Sequence, residues 1–375
     1  MRRSLRNILW LGMKELRSIR ADPIVVLMIV YTFTFAVYAV STGAKLEVEN
    51  ASVAIVDHDR TQLSRRIQAS IHEPLFRPPQ EIDGASVDRA MDANEFVFVI
   101  EIPAHFEADL LAGRRPTLQL NVDATAMAHA GNGSVYLQSI IGREVIDFLQ
   151  RTDDDAALPV DVVTRARFNP NLKSHWFTSV MQVINNVTIL SVILTGAALI
   201  REREHGTIEH LLVMPVTPSD IMLSKILANG SVILLASLLS LRIVVELLLG
   251  VPVTGSLTLF VLGAVLYQFS VTGLGILLAT FATSMPQFGL LALPVLVIIN
   301  LLSGSTTPME TMPLWLQRVM LLSPSTHFVA YSQAILYRAA GFSIVWPSFL
   351  AMGAIGAIFF SIALARFRSM LGAMQ

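Results

Sequence analysis

Long apolar runs separated by charged stretches dominate the pattern of this chain. A helix needs about 20 apolar residues to cross the ~30 Å hydrocarbon core of a bilayer, and six runs reach or approach that length. The pattern therefore predicts six membrane-spanning helices. They cover residues 23–43, 179–200, 226–250, 257–283, 288–305 and 346–367, of which the fifth is the shortest and contains Pro294.

The first apolar run has a second interpretation, a cleaved signal peptide, because basic residues precede it. Its length of about 20 residues exceeds the ~7–15 residues typical of the apolar region of a signal peptide. We therefore interpret it as an uncleaved anchor. Residues 1–22 ahead of it predict a cytoplasmic amphipathic connecting helix at the inner interface. Its apolar face consists of Leu5, Ile8, Leu9, Leu16 and Ile19.

The distribution of basic residues predicts the orientation. Short cytoplasmic loops carry an excess of Lys and Arg. With the N-terminus inside, eleven Lys and Arg residues near the spans face the cytoplasm, whereas the short outer loops hold only Arg318 and Arg338. Both termini are therefore predicted to be cytoplasmic (N-in, C-in).

Between the first two spans, the polar region 44–178 holds 33 of the 55 charged residues. Alternating or β-rich runs predict strands, and intervening segments have helical spacing. The strands are expected at 51–57, 95–103 and 117–123, and the helices at 61–71, 85–93, 104–113 and 132–152. We predict a periplasmic α/β domain inserted between spans 1 and 2.

A possible metal site in this domain, at Asp57, His58 and Asp59, is interpreted instead as a polar turn. Three consecutive residues cannot converge on one ion without partners elsewhere in the chain. We therefore predict no metal site.

The connection between the second and third apolar runs, residues 201–225, has its own start and stop signals. Four alternating charges follow the second run, and Gly206 is predicted to end that helix. A short helix is predicted to begin near Thr207, to carry Leu211 and Leu212 on its apolar face, and to end at Pro215.

After this short helix, Thr217, Pro218 and Asp220 have the spacing of an N-cap, a first-turn proline and an N3 acid that begin the third span. Two interpretations of the short helix stay open. It lies on the membrane surface, or it docks into a groove of a cytoplasmic partner. A metal site at His205, Glu209 and His210 is excluded, because the spacing matches neither H-E-x-x-H nor H-x-x-E-H.

This connection resembles the coupling helix of type-two ABC exporter permeases, in the bacterial multidrug-export subgroup with a large periplasmic domain after span 1. Residues 303–341 resemble the family's outer re-entrant region, with an amphipathic segment at 305–322, and residues 365–371 resemble its basic C-terminal end. The resemblance covers essentially the whole chain. It assigns contact with an ATPase to Glu202, Glu204, Gly206, Thr207, Glu209, Leu211, Leu212 and Pro215, and includes Lys225 in the same pattern.

The resemblance implies a multi-pass permease subunit of an ABC exporter in the bacterial inner membrane, with spans 2–6 in residues 179–375. It would form the pathway for efflux of a drug-like or amphiphilic substrate. No G-x-x-x-x-G-K-[ST] phosphate loop occurs in the chain. We therefore expect no catalytic residues and no cofactor here, with ATP and Mg²⁺ bound by a separate cytoplasmic ABC ATPase. Other implied partners are membrane lipid, a second permease subunit, identical or different and sometimes fused to its ATPases, and a periplasmic membrane-fusion adaptor.

A pair of opposite charges interrupts the third apolar run. Arg242 and Glu246 are four residues apart and share a helical face. An isolated Arg in mid-membrane costs about 2.5–3.5 kcal/mol on insertion scales. We expect this intramembrane polar pair to face a subunit interface or the pathway, and the alternative is a self-satisfied pair near the outer leaflet.

Other functional classes are weighed against export. A non-transporting membrane scaffold or assembly factor, which recruits a cytoplasmic protein to a periplasmic domain, stays open. An ion-coupled secondary transporter is disfavoured, because inverted-repeat hydropathy and several buried carboxylates are lacking. Nucleic acid is not an expected partner, since a net charge of −1 gives no basic surface for it. A content of 53% hydrophobic residues and no cysteine excludes an ordinary soluble domain and any disulfide.

Overall fold

The computed structural model describes residues 2–43, 48, 50–93, 95–123, 127–152, 173–206 and 216–372. Contacts divide the chain into two compact units. One consists of Met1–Gly43 with His175–Gln375, and the other of Ala44–Ser174. The described part of the first unit is built from helices, and the second combines helices with a four-stranded sheet.

In the described part of the first unit, six helical segments are long and apolar enough to cross a membrane, which confirms the predicted number of spans. We number them span 1 to span 6. They are Pro23–Gly43, Ser174–Glu204, Pro218–Leu248, Leu257–Phe281, Met285–Leu302 and Phe342–Ser369. The last of these belongs to a helix that continues to Gly372, and the shorter helices are Arg2–Ala21, Leu314–Met320 and Pro324–Leu336, with a 3-10 turn at Met309–Thr311.

Spans 2 and 3 are longer than their apolar runs predict. Span 2 continues as a helix through its charged end to Glu204, and span 3 begins at Pro218, eight residues before the predicted start at Ile226. Hydropathy locates only the apolar part of a helix, whereas backbone hydrogen bonds continue into its polar ends. Only residues 205–217 therefore separate the ends of these two spans.

Two spans have an irregular backbone at neighbouring places. Span 1 consists of helices Pro23–Phe33 and Phe35–Gly43, interrupted at Thr34 with φ −117° and ψ −80°. Span 3 changes from α-helix to π-helix at Ser240, and the π-helix continues to Leu248. The Ser240 hydroxyl donates to the Phe33 carbonyl at 2.5 Å, so the two irregular turns are hydrogen-bonded to each other. Short π-helical stretches frequently occur at functional sites.

Spans 2 and 4 form the interior of this unit. Of the most apolar stretch of each span, 78% of span 2 and 61% of span 4 is buried, compared with 17% of span 6. Small residues allow this close packing. A Cβ atom added to Gly275 of span 4 would lie only 2.9 Å from the Val192 carbonyl oxygen of span 2.

Buried polar side chains join the spans. The Tyr267 hydroxyl of span 4 is hydrogen-bonded at 2.7 Å both to Thr188 of span 2 and to Ser325. The Asn186 amide of span 2 donates to the Thr32 carbonyl of span 1 at 2.7 Å. Hydrogen bonds of this kind connect helices where no water is available. Asn186 thus makes a helix–helix contact between spans 1 and 2.

The second unit contains a mixed sheet with the strand order β2-β1-β3-β4. Strand β1 is parallel to β2 and β3, whereas β3 and β4 are antiparallel. The strands are β1 (Val53–Asp57), β2 (Gln80–Glu81), β3 (Phe98–Ile102) and β4 (Gln119–Val122). The helices are Gln62–Ser70, Val87–Asp92, Phe106–Leu111 and Met127–Thr152, with a 3-10 turn at Gly84–Ser86.

Helices cover both faces of this sheet, which explains why β1 and β3 are almost continuously apolar. On one face, Ile55 packs with Leu63 and Leu137, and on the other, Val56 packs with Val87. After β1, the Asp57 carboxylate accepts hydrogen bonds from the backbone amides of residues 59 and 60 at 3.0 and 2.8 Å. The predicted polar turn is therefore present.

Candidate functional site

The N-terminal helix Arg2–Ala21 packs against the beginning of span 3. Its buried residues are Leu11 and Glu15, whereas Leu5 and Leu9 are each 62% exposed. The apolar stripe predicted for this helix thus faces partly away from the protein, as expected of a helix that lies in a membrane interface. On the other side of this helix, the Glu15 carboxylate contacts span 3.

A buried lysine connects three helices. Lys225 of span 3 is 2% exposed, and its Nζ atom lies 2.8 Å from Glu15 Oε1 and 2.9 Å from Glu202 Oε2. Lys14 adds a weaker, exposed ion pair with Glu202 at 3.3 Å. Removing an ammonium group from water costs several kcal/mol unless partners compensate it, so the two carboxylates are required for this burial. The N-terminal helix, span 2 and span 3 therefore meet at Lys225.

The charged end of span 2, residues Arg201, Glu202, Arg203 and Glu204, contacts a different part of the bundle through each side chain. We call these four residues the charged quartet. The first, Arg201, lies 3.3 Å from Asp22 Oδ2, and Asp22 caps span 1 by accepting from the amides of Ile24 and Val25.

The last two members of the charged quartet bind the link between spans 4 and 5. Arg203 donates to the Ala282 carbonyl at the C-terminal end of span 4 (2.7 Å), and Glu204 accepts from the Met285 amide at the N-terminus of span 5 (2.8 Å). A cation at a helix C-terminus and an anion at a helix N-terminus both interact favourably with the helix dipoles. The C-terminal end of span 2 therefore contacts the ends of spans 4 and 5.

The helix start predicted at Thr217, Pro218 and Asp220 is confirmed. Thr217 Oγ1 accepts from the Asp220 amide at 3.2 Å, and the Asp220 carboxylate accepts from the Thr217 amide at 3.1 Å, which forms a capping box with Pro218 in the first turn. The Ser4 hydroxyl also donates to Asp220, so the N-terminal helix holds this cap as well.

The structure describes three of the residues assigned to contact with an ATPase. Glu202 and Glu204 belong to the charged quartet, and Gly206, with φ +67°, follows the end of span 2 at the place predicted for the helix break. The others, Thr207, Glu209, Leu211, Leu212 and Pro215, lie outside the described residues. Their assignment stays a prediction.

Sequence reasoning missed Glu15. It is the only acidic residue in the first 21 positions, among six basic ones. A single acid on an otherwise basic amphipathic helix was the available signal for a buried partner, since an acid that faces the membrane surface gains nothing there.

The intramembrane polar pair lies in the π-helical part of span 3. Arg242 and Glu246 form an ion pair of 2.5 Å, and their side chains are 56% and 33% exposed. No other described residue pairs with either charge, and the pair faces away from the core of its own chain.

Comparison with known proteins decides the family. Residues 23–365 match the family model described as ABC-2 family transporter protein. The chain belongs to the ABC-2 transporter family. It is 51% identical to the inner membrane transport permease YhhJ of Escherichia coli K12, over 99% of this chain and 100% of that protein. It is also similar to the probable multidrug ABC transporter permeases YbhR (30% identity, 95% of this chain and 96% of that protein) and YbhS (27%, 91% of each) of the same strain.

Membership of the ABC-2 family identifies the protein in which the charged quartet lies. The chain is a transmembrane permease of the inner membrane, and such subunits are the membrane components of their transporters rather than the catalytic ones. The contacts of residues 201–204 and of Lys225 therefore lie at the base of a permease bundle, on both sides of the connection between spans 2 and 3.

The buried lysine generates a stability prediction. Lys225→Met leaves Glu15 and Glu202 close together without their shared cation, and we expect it to lower the free energy of unfolding by about 3–5 kcal/mol. Lys14→Met removes the same functional group from an exposed position, and we expect a loss of at most about 1 kcal/mol. Thermal unfolding of the purified proteins compares the two, and equal losses would contradict the assigned role of Lys225.

Proposed function

We propose that this ABC-2 permease couples ATP hydrolysis by a separate cytoplasmic ABC ATPase to efflux of a drug-like or amphiphilic substrate. The observation that carries the proposal is the anchoring of the connection between spans 2 and 3 at both ends. The charged quartet holds its first end to spans 1, 3, 4 and 5. The Asp220 cap and Lys225 hold its second end to the N-terminal helix.

A connection that is fixed at both ends can transmit a displacement to the spans it joins. In the proposed mechanism, residues Thr207 to Pro215 contact the ATPase, and closure of the ATPase around nucleotide displaces them. Because short ion pairs and hydrogen bonds fix both ends, the displacement passes to whole helices, which move as rigid bodies. A loop with free ends would absorb the same displacement without moving the spans.

Partners and substrate follow from the same proposal. The chain has no phosphate loop, so ATP and Mg²⁺ are held by the partner ATPase, and a second permease subunit, identical or different, completes the pathway. The names of the relatives YbhR and YbhS, probable multidrug permeases, support the substrate class. A periplasmic membrane-fusion adaptor is the further partner we propose for the unit Ala44–Ser174.

The first test uses the residues proposed to touch the ATPase. In Leu211→Asp/Leu212→Asp, two apolar side chains become charged, and we expect the ATPase to dissociate or to lose its stimulation by the permease at least about tenfold, which corresponds to about 1.4 kcal/mol. The measurement is ATP turnover of the complex co-purified in detergent.

The matched control for this test is Leu321→Asp/Leu322→Asp, another adjacent pair, whose side chains are 51% and 71% exposed. This variant is expected to keep the ATPase bound and stimulated. Normal stimulated turnover in Leu211→Asp/Leu212→Asp would count against the proposal and would favour a non-transporting scaffold.

We further propose that both termini are cytoplasmic and that the unit Ala44–Ser174 is periplasmic, on the strength of the basic residues near the spans. The chain has no cysteine, so single introduced thiols report cleanly. The two test variants are Ala85→Cys and Ala21→Cys, because Ala85 and Ala21 are both exposed. In intact spheroplasts, a membrane-impermeant maleimide is expected to label Ala85→Cys but not Ala21→Cys. After lysis, it is expected to label both variants. The reverse pattern would overturn the orientation.

For the intramembrane polar pair we propose a position at the subunit interface or the pathway. Arg242 and Glu246 point away from the core of their own chain, and charges exposed to hydrocarbon are costly. Arg242→Leu/Glu246→Leu is therefore expected to reduce export or subunit assembly several-fold, measured by substrate efflux from cells and by the size of the purified complex. Unchanged export and assembly would reject this role and leave a self-satisfied pair in the outer leaflet.

A further inference from the structure

A cavity of about 230 Å³ lies between the N-terminal helix, span 1 and span 2, beside the charged quartet. Sites for drug-sized ligands have volumes of about 300–1,000 Å³, so this cavity suits a smaller group. It lies at the membrane boundary of the spans, because charged residues that end span 2 form part of its wall.

The wall of the cavity changes from apolar to charged along span 2. Leu194, Ala198, Arg201 and His205 lie along one face of that helix, and at 1.5 Å per residue they extend over about 16 Å. Val25 of span 1 continues the apolar end. A wall with this gradient matches an amphiphile whose head lies at the charged end and whose tail enters the bilayer.

One buried side chain in the wall lacks a partner. Asn229 of span 3 is 1% exposed and lines the cavity, and its Nδ2 amide donates to no residue in the described part of the chain. A buried donor without an acceptor costs about 1–3 kcal/mol. An acceptor oxygen on a bound guest would satisfy this donor.

The charges around the cavity specify the guest further. Its wall contains the carboxylates of Glu15, Asp22 and Glu202 and the cations of Lys14 and Arg201, and Lys225 supplies a third cation to the same carboxylates. Acid and base thus balance, which favours a zwitterion over an anion. A carboxylate accepts about four hydrogen bonds, so these acids retain capacity for a primary ammonium, whereas a quaternary ammonium has no N–H to donate.

We propose that this cavity binds the head of a phosphoethanolamine phospholipid. The ammonium group interacts with the carboxylates of Asp22 and Glu202, the phosphate interacts with Arg201, and the Asn229 amide donates to an ester or phosphate oxygen. The acyl chains leave past Val25 and Leu194 into the bilayer. The proposal concerns a lipid held at the base of the spans and does not depend on the identity of the ATPase or the exported substrate.

The test is native mass spectrometry of the full-length, delipidated protein in detergent, titrated with phosphatidylethanolamine, phosphatidylcholine and phosphatidylglycerol of identical acyl chains. We expect phosphatidylethanolamine to bind about tenfold more tightly than either of the others, a difference of about 1.4 kcal/mol. Equal affinities would overturn the proposal. Soluble phosphoethanolamine that bound as tightly as the lipid would assign the cavity to a free zwitterion, and failure of all of them to bind would assign it to water.

A variant separates this cavity from other lipid contacts. Asn229→Leu removes the unpaired donor at similar volume, and we expect it to weaken phosphatidylethanolamine about tenfold while the other two lipids bind as to the wild type. The control Asn300→Leu, in span 5 and outside this cavity, should keep the wild-type preference. Undiminished preference in Asn229→Leu would overturn the site. If that variant does not fold, the ranking of the three lipids by the wild-type protein decides alone.

Discussion

The burial of Lys225 between Glu15 and Glu202 is the interaction on which the base of this permease depends. An ammonium group that is 2% exposed is tolerable only while both carboxylates remain beside it. The three residues belong to the N-terminal helix, span 2 and span 3, so the electrostatic requirement of one side chain holds these three helices together. It also fixes the distance between the two ends of the connection that we propose to be moved by an ATPase.

Around this centre, charge is placed according to the polarity of the helices. Asp22 is the N-cap of span 1, and Asp220 completes the capping box of span 3. Glu204 supplies an anion to the N-terminus of span 5, and Arg203 supplies a cation to the C-terminal end of span 4. Each contact satisfies backbone groups that would otherwise lack partners at the edge of the bilayer. The charges that end an apolar helix at the water boundary thus also hold its neighbours.

Local patterns in the sequence were enough for much of this architecture. Six apolar runs predicted six spans, the alternation around β1, β3 and β4 predicted three of the four strands, and Thr217 with Asp220 predicted a capping box, because each signal lies within a few residues of its partner. Features set by distant contacts were not predictable. The π-helix of span 3 begins where Ser240 binds the backbone of span 1, and β2 is only two exposed residues long. Apart from Lys225, the partners named for the charged quartet (Lys14, Asp22, Ala282 and Met285) lie 79 to 188 positions away. Within the candidate site, residues 201–204 and Lys225 were identified from sequence, but Glu15 was missed, and the pairings between distant residues required the fold.

The charged quartet has a consequence for how this stretch can change in evolution. The four successive residues contact different neighbours because each side chain is rotated by about 100° from the previous one around the helix axis. Insertion or deletion of a single residue just before Arg201 would rotate every member onto the wrong neighbour at once, whereas replacement of one charge disturbs one contact. Relatives of this chain should therefore tolerate changes of residue type here more readily than changes of length.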